Sequence, residues 1–380
     1  MDFDFKKMSP YTDKDVSNVL PKILSDPLFA VISKYLWPDT SLETQIEKGE
    51  HIKTVLEFQK EFMHSAIRTI TDRSSDGLTY SGIENLDPKE SYLFIANHRD
   101  ILLDSAILQT ILVENGFDTT EITFGNNLMQ AGFITELGKL NRMFTVEREG
   151  TARELYQISQ RLSAYIRNTL ENKKTSVWIA QRAGRTKDGD DLTQTGLLKM
   201  LAISGSGSFE EKLAQLKIVP LTISYEYEPC IDLKVQETYL SSLHAKYIKA
   251  TDEDLRSIVS GVVENKGRIH MAFGKVILKK DLAFESTKEN DRIKSLVKII
   301  DTQIHNNYQL WPIHYIAYDL LHDKKTYFNE YSDKEKSNFV AYANEKLGKL
   351  EGNKDSLRNI FYALYANPLI NQLKIKNGLF

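Results

Sequence analysis

A single cysteine, Cys230, stands in 380 residues, so no disulfide framework can form within the chain. A lone thiol fits a reducing compartment. Its neighbours in Tyr225-Glu226-Tyr227-Glu228-Pro229-Cys230 are acidic, which disfavours the thiolate and a reactive role with it. Neither sign of charge predominates: 49 Lys and Arg stand against 52 Asp and Glu, a formal net charge of -3. That argues against a nucleic-acid binder working by wholesale phosphate neutralisation. A local pocket for one or two anionic groups is still allowed. Long hydrophobic runs are also missing. No window reaches the ~18 apolar residues of a spanning helix, and MDFDFKKMSPYTDKDV at the start has no apolar stretch like that of a secretory signal. The expectation is a protein that is soluble or lies on a membrane surface. Seven of the eight histidines (51, 64, 244, 270, 305, 314 and 322) show no metal-ligand spacing, and no metal is expected.

What is present is enough apolar residue, 41%, for a sizeable core. Residues 13–75 read as helical. Leu28, Phe29, Val31, Ile32, Tyr35, Leu36 and Trp37 recur at helical spacing, interrupted by Lys34, and a second helical stretch runs from about Leu42 to Thr71. These helices either pack on the main domain or offer an amphipathic face to lipid, with Tyr35 and Trp37 at headgroup level. From residue 76 short apolar runs alternate with helical patterns: SYLFIA (91–96), EITF (121–124), 142–146, TSVWIA (175–180), KIVPLTISYEY (217–227) and RIHMAFGKVI (268–277). This alternation predicts an α/β domain with a largely parallel mixed sheet flanked by helices. Residues 1–79 and 286–380 form helical extensions around a domain spanning 80–285. The run Gly205–Ser208 (GSGS) reads as the least ordered turn.

Chemistry concentrates where these runs end. In Asn97-His98-Arg99-Asp100-Ile101-Leu102-Leu103-Asp104-Ser105, His98 leaves a strand just before a helix begins. A histidine there can reach a substrate, and a nearby carboxylate can fix its tautomer and stabilise the imidazolium. Asp104 is the candidate partner and Asp100 the alternative. A second cluster, Gln181-Arg182-Ala183-Gly184-Arg185-Thr186-Lys187, sets three cations beside a glycine that lets backbone amides approach an anion.

Taken with Phe144-Thr145-Val146-Glu147-Arg148 and Ile218-Val219-Pro220-Leu221-Thr222-Ile223-Ser224-Tyr225, these four blocks resemble, in order, those of the lysophosphatidate and glycerol-phosphate acyltransferase superfamily. The texture is similar to a bacterial NHRDxxLD subgroup of Bacteroidetes type. The resemblance covers roughly residues 80–285. It implies that His98 and Asp104 are catalytic, and that Arg148 (or Arg142), Arg182, Ala183, Gly184, Arg185 and Lys187 hold an anionic acceptor. It implies further that Asn97, Phe144 and Pro220 belong to the motif around the acyl site. Three departures stand out. Five residues rather than four separate His98 from Asp104, Phe144-x-x-x-Arg148 is one residue longer than usual, and Ala183 replaces the family's Glu.

The activity so implied is transfer of a fatty acyl group from an acyl carrier protein or coenzyme A thioester to the hydroxyl of a lysophosphatidate-like acceptor in phospholipid biosynthesis. The place implied is the inner face of the cytoplasmic membrane, where the protein would be peripheral. No cofactor and no nucleic acid is implied. Two alternatives stay open, an O-acyltransferase for an N-acyl amino acid lipid and a lipid- or carrier-binding module impaired by Ala183. A hydrolase using Ser105, Ser204 or Ser224 lacks the nucleophile elbow.

Overall fold

A computed structural model describes residues 3–126, 132–147, 149–243, 247, 250 and 252–379. The N-terminal helices are α1 (Asp13–Leu24), α2 (Pro27–Leu36), α3 (Leu42–Glu50), α4 (Val55–Phe58) and α5 (His64–Ser74). The sheet layer then begins with β1 (Leu78–Ser81), β2 (Leu93–Ala96), α6 (Leu103–Glu114), β3 (Glu121–Gly125), α7 (Phe133–Leu140) and β4 (Met143–Val146). It continues through α8 (Ala152–Glu171), β5 (Val177–Ala180), α9 (Thr195–Leu201), α10 (Phe209–Ala214) and β6 (Ile218–Tyr225). After α11 (Ile231–Leu243) and α12 (Glu253–Val263) comes the last strand, β7 (Ile269–Phe273). Four helices finish the chain: α13 (Glu289–Asn306), α14 (Pro312–His322), α15 (Asp333–Gly348) and α16 (Lys354–Lys376).

The seven strands lie in the order β1-β7-β6-β2-β5-β3-β4. Five of them, β6 to β4, are mutually parallel, while β7 runs antiparallel to β6 and parallel to β1. The expected largely parallel mixed sheet is therefore present. Short apolar runs become strands here because both faces are covered, which favours continuous apolar sequence over strict alternation. On one face Phe94, Ala96, Val219, Leu221 and Ile223 meet α5 and α6. On the other, Leu93, Ile95, Val177 and Ile218 meet α8, α9 and α13. Phe144 and Pro220, expected near an acyl site, are packing positions. Phe144 is fully buried against Tyr165, with ring centroids 4.8 Å apart. Pro220 sits within β6 opposite Ile95, and its carbonyl accepts from the Gly274 amide at 2.8 Å.

Three local readings change. The helix expected over residues 42–71 is broken after Glu50 and restarts at α4. Thr54 and Glu57 form a reciprocal cap there, with the Glu57 amide donating to Thr54 Oγ1 at 3.1 Å and the Thr54 amide to Glu57 Oε2 at 3.0 Å. The restart then passes through a π-helical turn, Gln59–Met63, before α5. The strand β1 was not foreseen, because its exposed edge residues carry no apolar pattern. The GSGS turn is held in place. Gly205 and Gly207 adopt φ of +98° and +95°, the Arg167 guanidinium packs on Gly205, and Ser208 caps α10.

The first helices divide their faces. Met8 accepts from the Thr145 amide beside β4, and α1, α4 and α7 share one apolar cluster. In α2 the residues Phe29, Ser33 and Leu36 are buried, whereas Leu28, Val31, Ile32 and Tyr35 form an outward apolar stripe, Val31 being 66% exposed. Trp37 is not at a headgroup position. Its indole donates to Ser65 Oγ at 2.9 Å, and it packs against core residues.

Candidate active site

The carboxyl end of β2 opens into the turn that carries His98. Asn97 fixes this turn, its side chain accepting from the Ile223 amide at 2.7 Å and donating to the Ile223 carbonyl at 2.9 Å. It thus clamps the turn to β6. His98 then turns its Nδ1 to Asp104 Oδ2 at 2.8 Å, and its ring meets Trp178 edge-on with centroids 5.5 Å apart. Among the described residues Nε2 makes no hydrogen bond. The imidazole side chain keeps 14% of its surface, while Asp104 is buried. Asp104 lies in the first turn of α6, where the helix dipole favours a carboxylate. Its Oδ2 also accepts the amides of Arg99 at 2.6 Å and Asp100 at 2.9 Å, and its Oδ1 accepts the Tyr225 hydroxyl at 2.9 Å.

The extra residue between His98 and Asp104 is absorbed by that turn, and of the two candidate carboxylates Asp104 is the one that meets His98. Asp100 serves the helix start instead. Its Oδ1 accepts the amides of Leu102 and Leu103 at 2.9 and 2.8 Å. Its Oδ2 is buried with no hydrogen-bond partner among the described residues, pressed against Gly261 of α12. Burial and the neighbouring Asp104 raise the Asp100 carboxyl above the usual carboxylate range. None of the three serines weighed as a nucleophile reaches His98. Ser204 bonds Ser163, Ser105 lies beside the Leu102 carbonyl, and Ser224 accepts the Gln309 amide. Cys230 is fully buried and donates to the Ser257 carbonyl at 3.1 Å. Burial, with Asp100 nearby, pushes its thiol up to about 12, so it stays protonated.

The cationic loop after β5 closes back on this turn, the Thr186 amide donating to the His98 carbonyl at 2.9 Å. Its cations separate in their roles. Lys187 pairs with Glu237 of α11 at 2.6 Å. Arg185 is only 7% exposed and donates to Ser257 of α12 at 3.0 Å, with Nη1 unpartnered among the described residues. Arg182 has a buried Nε with no hydrogen-bond partner among the described residues. Gly184 takes φ of +75° with open space around its Cα, and the exposed Ala183 amide donates to Gln194 Oε1 at 3.0 Å. Arg148 lies outside the described residues. Arg142, its alternative, stands at the opposite end of β4 and pairs with Asp118 at 3.0 Å, away from His98.

Sequence reasoning missed what underlies the turn. Arg99 is fully buried, with Nε on Asp191 Oδ2 at 3.0 Å, Nη1 on Glu228 Oε2 at 2.9 Å and its guanidinium over the Tyr308 ring at 5.0 Å. Lys234 of α11 donates to the Arg99 carbonyl at 2.6 Å and pairs with Glu228. Two cations thus meet two carboxylates. Burial works against the Arg99 charge, but Asp191 and Glu228 outweigh it and hold the guanidinium cationic. From the C-terminal helices, Asn367 and Asn371 of α16 donate to the carbonyls of Asp188 and Asp190 at 2.6 and 3.1 Å. Asp301 of α13 accepts the Thr193 amide at 3.0 Å. The only sequence signal for this support was the charge pattern within Asn97-His98-Arg99-Asp100.

Residues 77–224 match the family model described as Acyltransferase. The match encloses His98, Asp104 and the loop beyond β5. That stretch, under half of the chain, is similar to the Acyltransferase family over the region that holds the four sequence blocks as far as Ser224. Among solved structures, it is similar to the crystal structure of PlsC, the 1-acyl-sn-glycerophosphate (LPA) acyltransferase of Thermotoga maritima, at 14% identity over 76% of this chain and 90% of that one, with a TM-score of 0.38. A likeness of that size carries no argument about substrates. No curated protein matches the chain.

Proposed function

We propose that the chain moves a fatty acyl group from an acyl carrier protein or coenzyme A thioester to the hydroxyl of a lysophosphatidate-like acceptor, with His98 as general base. The observation that carries this is the His98–Asp104 pair at the carboxyl end of a parallel strand, inside the matched domain. Nδ1 is held by Asp104, so Nε2 is the nitrogen left to take the proton of an attacking hydroxyl. A thioester already has a good leaving group, and a positioned base typically supplies about 10²–10⁴ in rate. Arg182 and the amides around Gly184 are the groups best placed to meet an anionic head, with Arg185 reachable only if α12 gives way. A guanidinium can grip a phosphate bidentately.

Thiol release from acyl thioesters in the presence of lysophosphatidate tests the activity, with wild type and Ala183→Glu run together. Turnover by both is expected, since the Ala183 amide is already held by Gln194. Turnover by the Glu variant alone would mark this chain as impaired. Silence in both, with the fold intact, would refute the lysophosphatidate reading and point to a carboxylate-headed lipid acceptor or a binding module.

The substrate class places the protein at a membrane surface, and the outward stripe of α2 supplies an apolar face for that contact. No described helix is long and apolar enough to cross a membrane. Val31→Glu with Tyr35→Glu is expected to abolish cosedimentation with phospholipid vesicles while leaving turnover of soluble substrates intact. Undiminished cosedimentation would remove α2 from this role.

A further inference from the structure

The strand β6 is longer than its neighbours, and its overhang reaches the catalytic turn. Ala96, the last residue of β2, is paired with Leu221. Tyr225 therefore lies four residues further along, about 13 Å at strand spacing. It is held in the sheet on its other side by Ile269 of β7. Alternation sends Leu221, Ile223 and Tyr225 to the face that packs on α6, so the phenol arrives at the first turn of that helix, where Asp104 sits.

We propose that Tyr225 is a positioning residue for the general base, its hydroxyl fixing and polarising the Asp104 carboxylate that orients His98. Asp104 Oδ2 is shared among His98 Nδ1 and the amides of Arg99 and Asp100, and the Tyr225 hydroxyl is the donor on Oδ1. Two of these donors are backbone groups, which side-chain substitution short of proline leaves in place. Apart from His98 itself, Tyr225 is, among the described residues, the side chain that donates to the carboxylate. The ring is fully buried, so it has little freedom to swing away. Burial, with Asp104, Asp100 and Glu228 nearby, keeps the phenol protonated far above its ordinary range. The hydroxyl is therefore a permanent donor to Oδ1. Such a bond draws charge off the carboxylate and weakens its hold on the imidazolium. Tyr225 thereby sets how basic His98 is, as well as where it points.

Tyr225→Phe removes one oxygen and keeps the packed ring. The inference rests on the reading of His98 as base, so kcat/KM is followed against pH for wild type, Tyr225→Phe and His98→Ala. The His98 imidazole is titrated by NMR in the substrate-free proteins. Without the hydroxyl the carboxylate holds the imidazolium more tightly. The acid limb and the NMR titration should both move up, by about one pH unit. The plateau in kcat should fall about tenfold, because a carboxylate no longer fixed on Oδ1 orients the ring less closely, a loss that outweighs its tighter hold on the imidazolium. The KM for the acceptor should be unchanged. Replacing Tyr225 with 3,5-difluorotyrosine, a stronger donor, should move the limb the other way. A limb and an imidazole titration unmoved in both proteins would overturn the proposal, even if Tyr225→Phe melted earlier, since lost packing alone moves neither. Turnover surviving His98→Ala would instead refute the base reading. The NMR titration would still report whether Tyr225 tunes the pair.

Discussion

Asp104→Asn is expected to lower kcat by about 10²–10⁴-fold, the range over which a correctly oriented base acts, in a protein that still folds. The amide can enter the same space, at the cost of the acceptor that the buried Tyr225 hydroxyl now has. Its oxygen can accept from His98 Nδ1 and the amides of Arg99 and Asp100, as Oδ2 does now, while its NH₂ faces the Tyr225 oxygen, which can turn to accept. What disappears is the negative charge that stabilises the imidazolium formed when His98 takes a proton. The loss should therefore fall on kcat, with acceptor KM little changed, and a single-turnover assay reads it directly. A decrease under about tenfold would mean that Asp104 only braces the turn.

Arg99→Ala is expected to destabilise the fold by about 3–5 kcal/mol, because breaking a buried ion pair strands its partners. Asp191 would lose its guanidinium altogether, and Glu228 would keep only Lys234. The missing side chain also leaves a void under Tyr308. Urea unfolding measures the change. A loss below about 1 kcal/mol, the value of an exposed pair, would mean that water or rearrangement satisfies the two carboxylates. Glu228, Lys234 and Tyr308 all lie beyond residues 77–224. The helices after that stretch are thus joined to the His98 turn through Arg99. Asn367 and Asn371 reach the following loop as well.

The sheet was legible because its buried strands are short apolar runs, and a strand covered on both faces looks the same wherever it occurs. Edge strand β1 was illegible for the converse reason, since three of its four residues face solvent. His98 and its partner were legible because they lie within seven residues of one another, local enough for sequence order to show them. Tyr225 stands 121 residues from Asp104 in sequence. Only the register of β6 on β2 brings them together. The cationic loop shows what charge spacing leaves out. Three cations within six positions suggested a single anion site, but folding assigns Lys187 to Glu237 and Arg185 to Ser257. Charge clustering reveals where cations are, and tertiary pairing decides which remain available.

The most direct test is acyl transfer itself, measured as labelled acyl group moving from a thioester to lysophosphatidate, with wild type and His98→Ala side by side. With His98 as the proposed base, the wild type should give product and the folded variant should lose about 10²–10⁴-fold. Equal rates from both proteins would contradict it, because the reacting hydroxyl would then owe nothing to the imidazole that Asp104 holds.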